Sequence, residues 1–227
     1  MEHKRLTLFA GHYGSGKTNI AVNYAMALAK EKQQVFIADL DIVNPYFRTK
    51  DSEKELTEAG VTLISSAFAN TNVDLPALPA ETYRLITDKS VWGIMDIGGD
   101  DRGAYALGRY VPAMKEENNY RMIFVANCCR PLTRTAEDAL EVMEEIEIAC
   151  GLKFTDIVNN SNLGPMTDPQ VLEESREFIR ELCEKSGLPL YFTAVRADLA
   201  PSLPDTYNVF PMQLQEKYFD LPDQMIR

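Results

Sequence analysis

Short apolar runs alternate with segments of helical period along most of this chain. Leu6–Ala10 is the first run and reads as a buried strand. Residues 19–32 follow, with Ile20, Ala21, Tyr24, Ala25, Leu28 and Ala29 at the spacing of one helix face. The same unit recurs: residues 35–41 predict a strand, 51–59 a short polar helix stopped by Gly60, and 61–65 another strand. Residues 67–80, rich in Asn and Pro, read as loop. A brief helix at 81–87 and a strand at 91–95 running into Asp96 come next. The pattern then predicts a helix at 102–115, a strand at 122–127, and a helix opened by Thr135-Ala136-Glu137-Asp138, a capping box, and closed by Gly151. A strand at 154–158 opens into Asn159-Asn160-Ser161-Asn162. A helix then starts at Asp168-Pro169 and runs to Gly187, and 190–195 is a last strand. From Pro201 onward prolines and aromatics leave little periodic structure. The β–α alternation, without internal repeat or linker, predicts one domain over all 227 residues: a three-layer α/β/α arrangement on a mostly parallel sheet.

The chemistry sits in the turn between the first strand and the first helix. Gly11-His12-Tyr13-Gly14-Ser15-Gly16-Lys17-Thr18 satisfies G-x-x-x-x-G-K-[ST], the phosphate-binding P-loop, in its required strand–loop–helix context. Glycines let the backbone bend around phosphates and aim its N–H groups inward, and the helix N-terminus, with Asn19 in its first turn, adds partial positive charge. Lys17 has the reach for the terminal phosphates, and the Thr18 hydroxyl can ligate Mg2+. Three acids stand at the ends of two of the predicted strands. Asp39 and Asp41 close the second run, and Asp96, followed by Ile97-Gly98-Gly99, closes the fourth. Acids placed so beside a phosphate site are candidates for holding magnesium or positioning water, and Asp96 has the Walker B arrangement. The segment 42–48, broken by Pro45, reads either as a γ-phosphate sensor or as an ordinary connection. The amides at 159–162 suit either reading of a base edge or turn chemistry.

Composition narrows the field. The net charge of −11 disfavours binding to nucleic acid or to anionic membrane, which need clustered Lys and Arg. With no C-x-x-C pair among the four cysteines and only two histidines, neither a zinc or iron–sulfur site nor a disulfide framework is expected. Neither a signal-peptide core nor a bilayer-spanning apolar stretch stands out, so the expected location is the cytoplasm.

The order of these landmarks, P-loop, Asp39-Leu40-Asp41, Asp96-Ile97-Gly98-Gly99 and Val158-Asn159, resembles the MinD/ParA and CobQ/CobB group of P-loop NTPases. The resemblance runs from about Leu6 to Val195 and is nearest to bacterial ParA-like ATP-binding proteins. It implies that Lys17 binds the β- and γ-phosphates, Thr18 ligates Mg2+, and Asp39 supports that metal from behind. It further implies that Asp41 orients the attacking water, Asp96 holds the metal through water, and Asn159 contacts adenine. ATP with Mg2+ is the implied cofactor pair, and no Asn-Lys-x-Asp guanine signature follows the strand. One departure stands in the loop itself: the family's signature lysine, which reaches across a nucleotide-sandwich homodimer, is here His12, followed by Tyr13 where the family has glycine. A mostly neutral histidine is no permanent cation for a partner's phosphate. The functions implied are a slow, partner-activated ATPase acting as a conformational switch, an ATP-dependent small-molecule transferase or ligase of CobQ/CobB type, or a non-hydrolysing nucleotide-dependent scaffold. The partner in the first is a protein, which includes a second copy of this chain.

Overall fold

A computed structural model of the chain describes residues 2–40, 49–64, 81–98, 105 and 107–214. The expectations for Asp41, for 42–48, for 65–80, for 99–104 and 106, and for the tail beyond 214 lie outside these residues.

Eight strands form one sheet: β1 (Leu6–Ala10), β2 (Val35–Leu40), β3 (Val61–Ile64), β4 (Trp92–Ile97), β5 (Tyr120–Ala126), β6 (Asp156–Asn159), β7 (Leu190–Arg196) and β8 (Val209–Met212). They stand in the order β3-β2-β4-β1-β5-β6-β7-β8, and every pairing is parallel. Parallel neighbours need crossovers, and α-helices supply the first six of the seven: α1 (Lys17–Ala29), α2 (Glu53–Glu58), α3 (Thr82–Thr87), α4 (Val111–Glu117), α5 (Ala136–Cys150) and α6 (Pro169–Ser186).

Side-chain alternation along the strands divides the core in two. Leu6, Leu8, Ala10, Met95, Ile97, Phe124 and Ile157 pack with Met114 of α4, Met143 of α5 and Leu182 of α6. Phe9, Ile37, Ile94, Val125, Val158 and Phe192 pack on the opposite face with Ile20, Tyr24 and Leu28 of α1 and Leu56 of α2. With both faces covered, the six central strands are buried along nearly their whole length, which is why they read as continuous apolar runs.

Local signals set the helix ends. Thr135 and Asp138 form the reciprocal capping box, Asp168 caps the N–H of Val171, and Gly151 and Gly187 end their helices in the left-handed region at φ 73° and 72°. Two differences from the sequence reading stand out. The helix expected from residue 19 begins at Lys17, so the lysine and threonine of the loop are already helical. The patternless tail contains β8, a four-residue strand with Pro211 inside it. Proline lacks the N–H of a ladder bond, which argues against a central strand. As the sheet's edge, bonded to β7 alone, β8 tolerates it.

The strand order also locates a crevice. From β1 the chain builds β2, β3 and β4 to one side, then crosses to β5 and continues through β8 on the other. The sheet therefore reverses direction at β1, and in such sheets ligands bind beyond the C-terminal strand ends at the reversal. No helix among the described residues is long and apolar enough to cross a membrane.

Candidate nucleotide-phosphate site

The loop 11–16 leaves β1 at that reversal. Gly11 lies so close to β5 that a Cβ there would stand 2.7 Å from the carbonyl oxygen of Val125. Gly16 adopts φ 89° and ψ 23°, and a Cβ there would lie 2.2 Å from Nδ2 of Asn160. Both glycines are therefore required by sterics as well as by conformation. The Ser15 N–H donates to the His12 carbonyl at 3.1 Å, closing the loop into a tight ring, and the Lys17 ammonium donates to the same carbonyl at 3.2 Å. Lys17 thus folds back over the concave side of the ring, where an anion would sit. The Thr18 hydroxyl side chain is buried beside it in the first turn of α1, and Asn19 is half-buried there.

Helix α1 starts without a side-chain cap and without an acid in its first turn, whereas α5 and α6 each have a side-chain cap. Its first N–H groups thus keep their hydrogen-bonding capacity and partial positive charge for an anion. His12 donates from Nδ1 to the Tyr13 carbonyl at 2.8 Å, so its ring is turned onto the loop's own backbone, and Tyr13 is exposed.

Two of the three predicted acids lie among the described residues, and register brings them together. Asp39 of β2 and Asp96 of β4 are paired residues of adjacent strands, and Asp96 is also paired with Phe9 of β1, two residues before the loop. Alternation puts both on the α1 face, because Ile37 and Ile94, two residues earlier, pack there. Asp96 is buried and accepts from the Thr49 hydroxyl at 3.2 Å. Sequence reading did not single out Thr49. The oxygens of Thr18, Asp39 and Asp96 are hard donors that suit Mg2+, which is held by one or two carboxylates together with phosphate oxygens and water. Among the described residues no group of three or more His, Cys, Asp or Glu forms a metal cage.

Asn159 is placed away from the loop. Its amide is buried, donating to the Ser175 hydroxyl of α6 at 2.9 Å and accepting from the Ser161 N–H at 3.0 Å. The reason is strand alternation: Asn159 shares the face of Ile157, opposite the loop. The next residue, Asn160, turns to the loop and donates from Nδ2 to the Ser15 carbonyl at 2.6 Å. Asn160 Oδ1, Asn127 Nδ2 and Ser15 Oγ are buried without a hydrogen-bond partner among the described residues. A buried polar atom left unmade costs about 1–3 kcal/mol. Three of them around one loop mark a place where ordered water or ligand atoms complete the bonding. Replacing Asn160 by alanine is expected to weaken nucleotide binding by about tenfold through loss of a buried bond to the loop. The Asn159→Ala protein is expected to lose stability while keeping its nucleotide affinity. Paired calorimetric and thermal-denaturation measurements separate the two.

The turn after β5 completes the wall. Cys128 N–H donates to the Ser161 hydroxyl, Cys129 N–H to Oδ1 of Asn127, and the Arg130 guanidinium to the Gly14 carbonyl. Both thiols are free. Burial, with the adjacent Cys128 thiol, pushes Cys129 up to about 11. Cys129 is therefore expected to resist iodoacetamide where an ordinary thiol, half-ionised at about pH 8.5, reacts readily. Peptide mass spectrometry across a pH series should show its labelling rise only toward pH 11.

No protein-family model matches the sequence, and no curated protein does. Solved structures do match. The cell division protein FtsY of Thermotoga maritima is 17% identical, with a TM-score of 0.56 over 84% of this chain and 61% of that one. The signal recognition particle 54 kDa protein of Aeropyrum pernix, in complex with GDP, is 16% identical, with a TM-score of 0.55 over 85% of this chain and 41% of that one. Chloroplast FtsY of Physcomitrella patens is 15% identical, with a TM-score of 0.57 over 85% of this chain and 59% of that one. This chain thus spans about two fifths to three fifths of the length of these proteins. At such identity the likeness is one of fold: this chain has the three-layer α/β/α fold of the P-loop NTPases.

Proposed function

We propose that this protein binds ATP with Mg2+ at the loop 11–18 and hydrolyses it slowly as a conformational switch acting on a protein partner. One observation carries the reading: the complete glycine loop, with Lys17 folded over it, faces two in-register carboxylates at the sheet's reversal point. The polyanionic triphosphate tail of a nucleotide is the ligand that uses all of these groups. The N–H groups of α1 and the Lys17 ammonium bind and orient the phosphates, and Thr18, Asp39 and Asp96 hold the metal. Magnesium held there would supply positive charge against the negative charge that develops on the phosphates. Asp41, next in the chain after β2, is assigned the orientation of the attacking water. Segments 41–48 and 98–102 follow β2 and β4 directly in sequence and are the elements assigned to respond to the γ-phosphate.

Adenine is favoured over guanine by the residues after β6. Asn160-Ser161-Asn162 offers amides and a hydroxyl but no carboxylate to accept from the N1 and N2 groups of guanine. The GDP in the Aeropyrum pernix structure makes the contrast worth measuring directly. Titration calorimetry with ATP and GTP, with and without Mg2+, followed by phosphate release from the same samples, tests the reading. The expected result is Mg2+-dependent ATP binding with slow turnover. Better binding of GTP overturns the base preference, and binding of neither overturns the site.

A further inference from the structure

We propose that Arg130 is a positioning residue of the phosphate loop, clamping it in its anion-binding conformation. This rests on the nucleotide reading above but starts from a contact that reading does not use. Arg130 Nε donates to the Gly14 carbonyl at 2.8 Å, across 116 residues of sequence. In a trans peptide the carbonyl and the following N–H point in opposite directions. Holding the Gly14 carbonyl outward therefore commits the Ser15 N–H to the inside of the ring, where it meets the His12 carbonyl at 3.1 Å. Gly14, at φ 76°, has no side chain to resist a flip of that peptide, so an external restraint is what keeps it in place.

Arg130 is itself held rigidly. Its N–H donates to the Asn127 carbonyl at 3.2 Å, and its carbonyl accepts from the Thr133 N–H at 3.2 Å. The Thr133 hydroxyl donates to the Asn127 carbonyl at 2.8 Å and fixes the same turn. Among the described residues no carboxylate forms an ion pair with the guanidinium. A guanidinium, a permanent cation, thus stands at the rim of a loop whose second position is His12. A planar guanidinium with several fixed donors suits this work better than a lysine would.

The test compares wild type with Arg130→Ala and Arg130→Lys by two readouts. The first is amide exchange of the loop in the nucleotide-free protein, and the second is ATP affinity with Mg2+. In Arg130→Ala, exchange at the Ser15 amide is expected to rise about tenfold and affinity to fall about 10- to 100-fold. Lysine, which keeps the charge and one donor, is expected to restore part of both. Unchanged exchange overturns the clamp. So does unchanged affinity in a protein whose loop exchanges faster. If wild type binds no nucleotide, the functional reading fails on its own account, and the exchange result alone decides the clamp. Should Arg130→Ala lose its circular-dichroism spectrum, Arg130→Gln is carried through the same two readouts with the same criteria.

Discussion

The Lys17→Ala protein is expected to fold normally and to bind ATP about 100-fold more weakly than wild type, since each charge-assisted bond to phosphate is worth about 1.5–3 kcal/mol. Lys17 is the cation at the concave side of the ring, and its reach lets it touch two phosphates. The fold should survive for two reasons. Alanine is the best helix former, so the start of α1 is not weakened. The His12 carbonyl that Lys17 contacts still accepts from the Ser15 N–H, so no backbone group is left without a partner. ADP, with one phosphate fewer, should lose less affinity than ATP. Calorimetry on both nucleotides, with circular dichroism as the control for folding, checks this. Equal ATP affinity in the two proteins would mean that the loop is not the nucleotide site.

The second large effect lies at the opposite end of the sheet and concerns stability. Arg5 is buried at the start of β1, where it donates to the carbonyls of Leu85 at 2.8 Å and Val91 at 3.1 Å and forms a bidentate pair with Glu117 at the end of α4. Lys89 reaches the same carboxylate at 2.5 Å. One guanidinium thus ties β1, α3, β4 and α4 together. Removing one partner of such a pair leaves the other charge poorly compensated, and Arg5→Ala is expected to lower the unfolding free energy by about 3–5 kcal/mol. The double replacement Arg5→Met with Glu117→Met should cost less than the single one, because no buried charge remains.

The acid limb gives a further check. The Arg5 hydrogen bonds hold Glu117 below its ordinary value of 4.5 in the folded protein. A group depressed on folding contributes stability above its unfolded value and loses it as pH falls through its folded value. The gap between wild type and Arg5→Ala should therefore be widest at neutral pH and narrow below pH 4.5. Urea denaturation over that range measures it. A gap that stays constant with pH would remove Glu117 from the explanation.

The features decided by the sequence are those made by neighbours in the chain. The glycine, lysine and threonine spacing of residues 11–18 specifies a phosphate loop, because that geometry needs only a strand, a turn and a helix in succession. The caps at Thr135, Asp168, Gly151 and Gly187 are likewise local, each made within a few residues. Seven of the eight strands are visible as apolar runs because parallel strands covered on both faces need no polar alternation. β8 is hidden because an edge position excuses its proline, and edge position is not a property of the segment itself. Register and loop closure decided the rest. That Asp39 stands beside Asp96 depends on how β2 pairs with β4. That Asn160 rather than Asn159 meets the loop depends on which face β6 turns to α6. That Arg130 clamps Gly14 depends on β5 lying next to β1. Such contacts join residues 57 to 145 positions apart, whose meeting is fixed by the packing of the whole sheet and leaves no periodic trace along the chain.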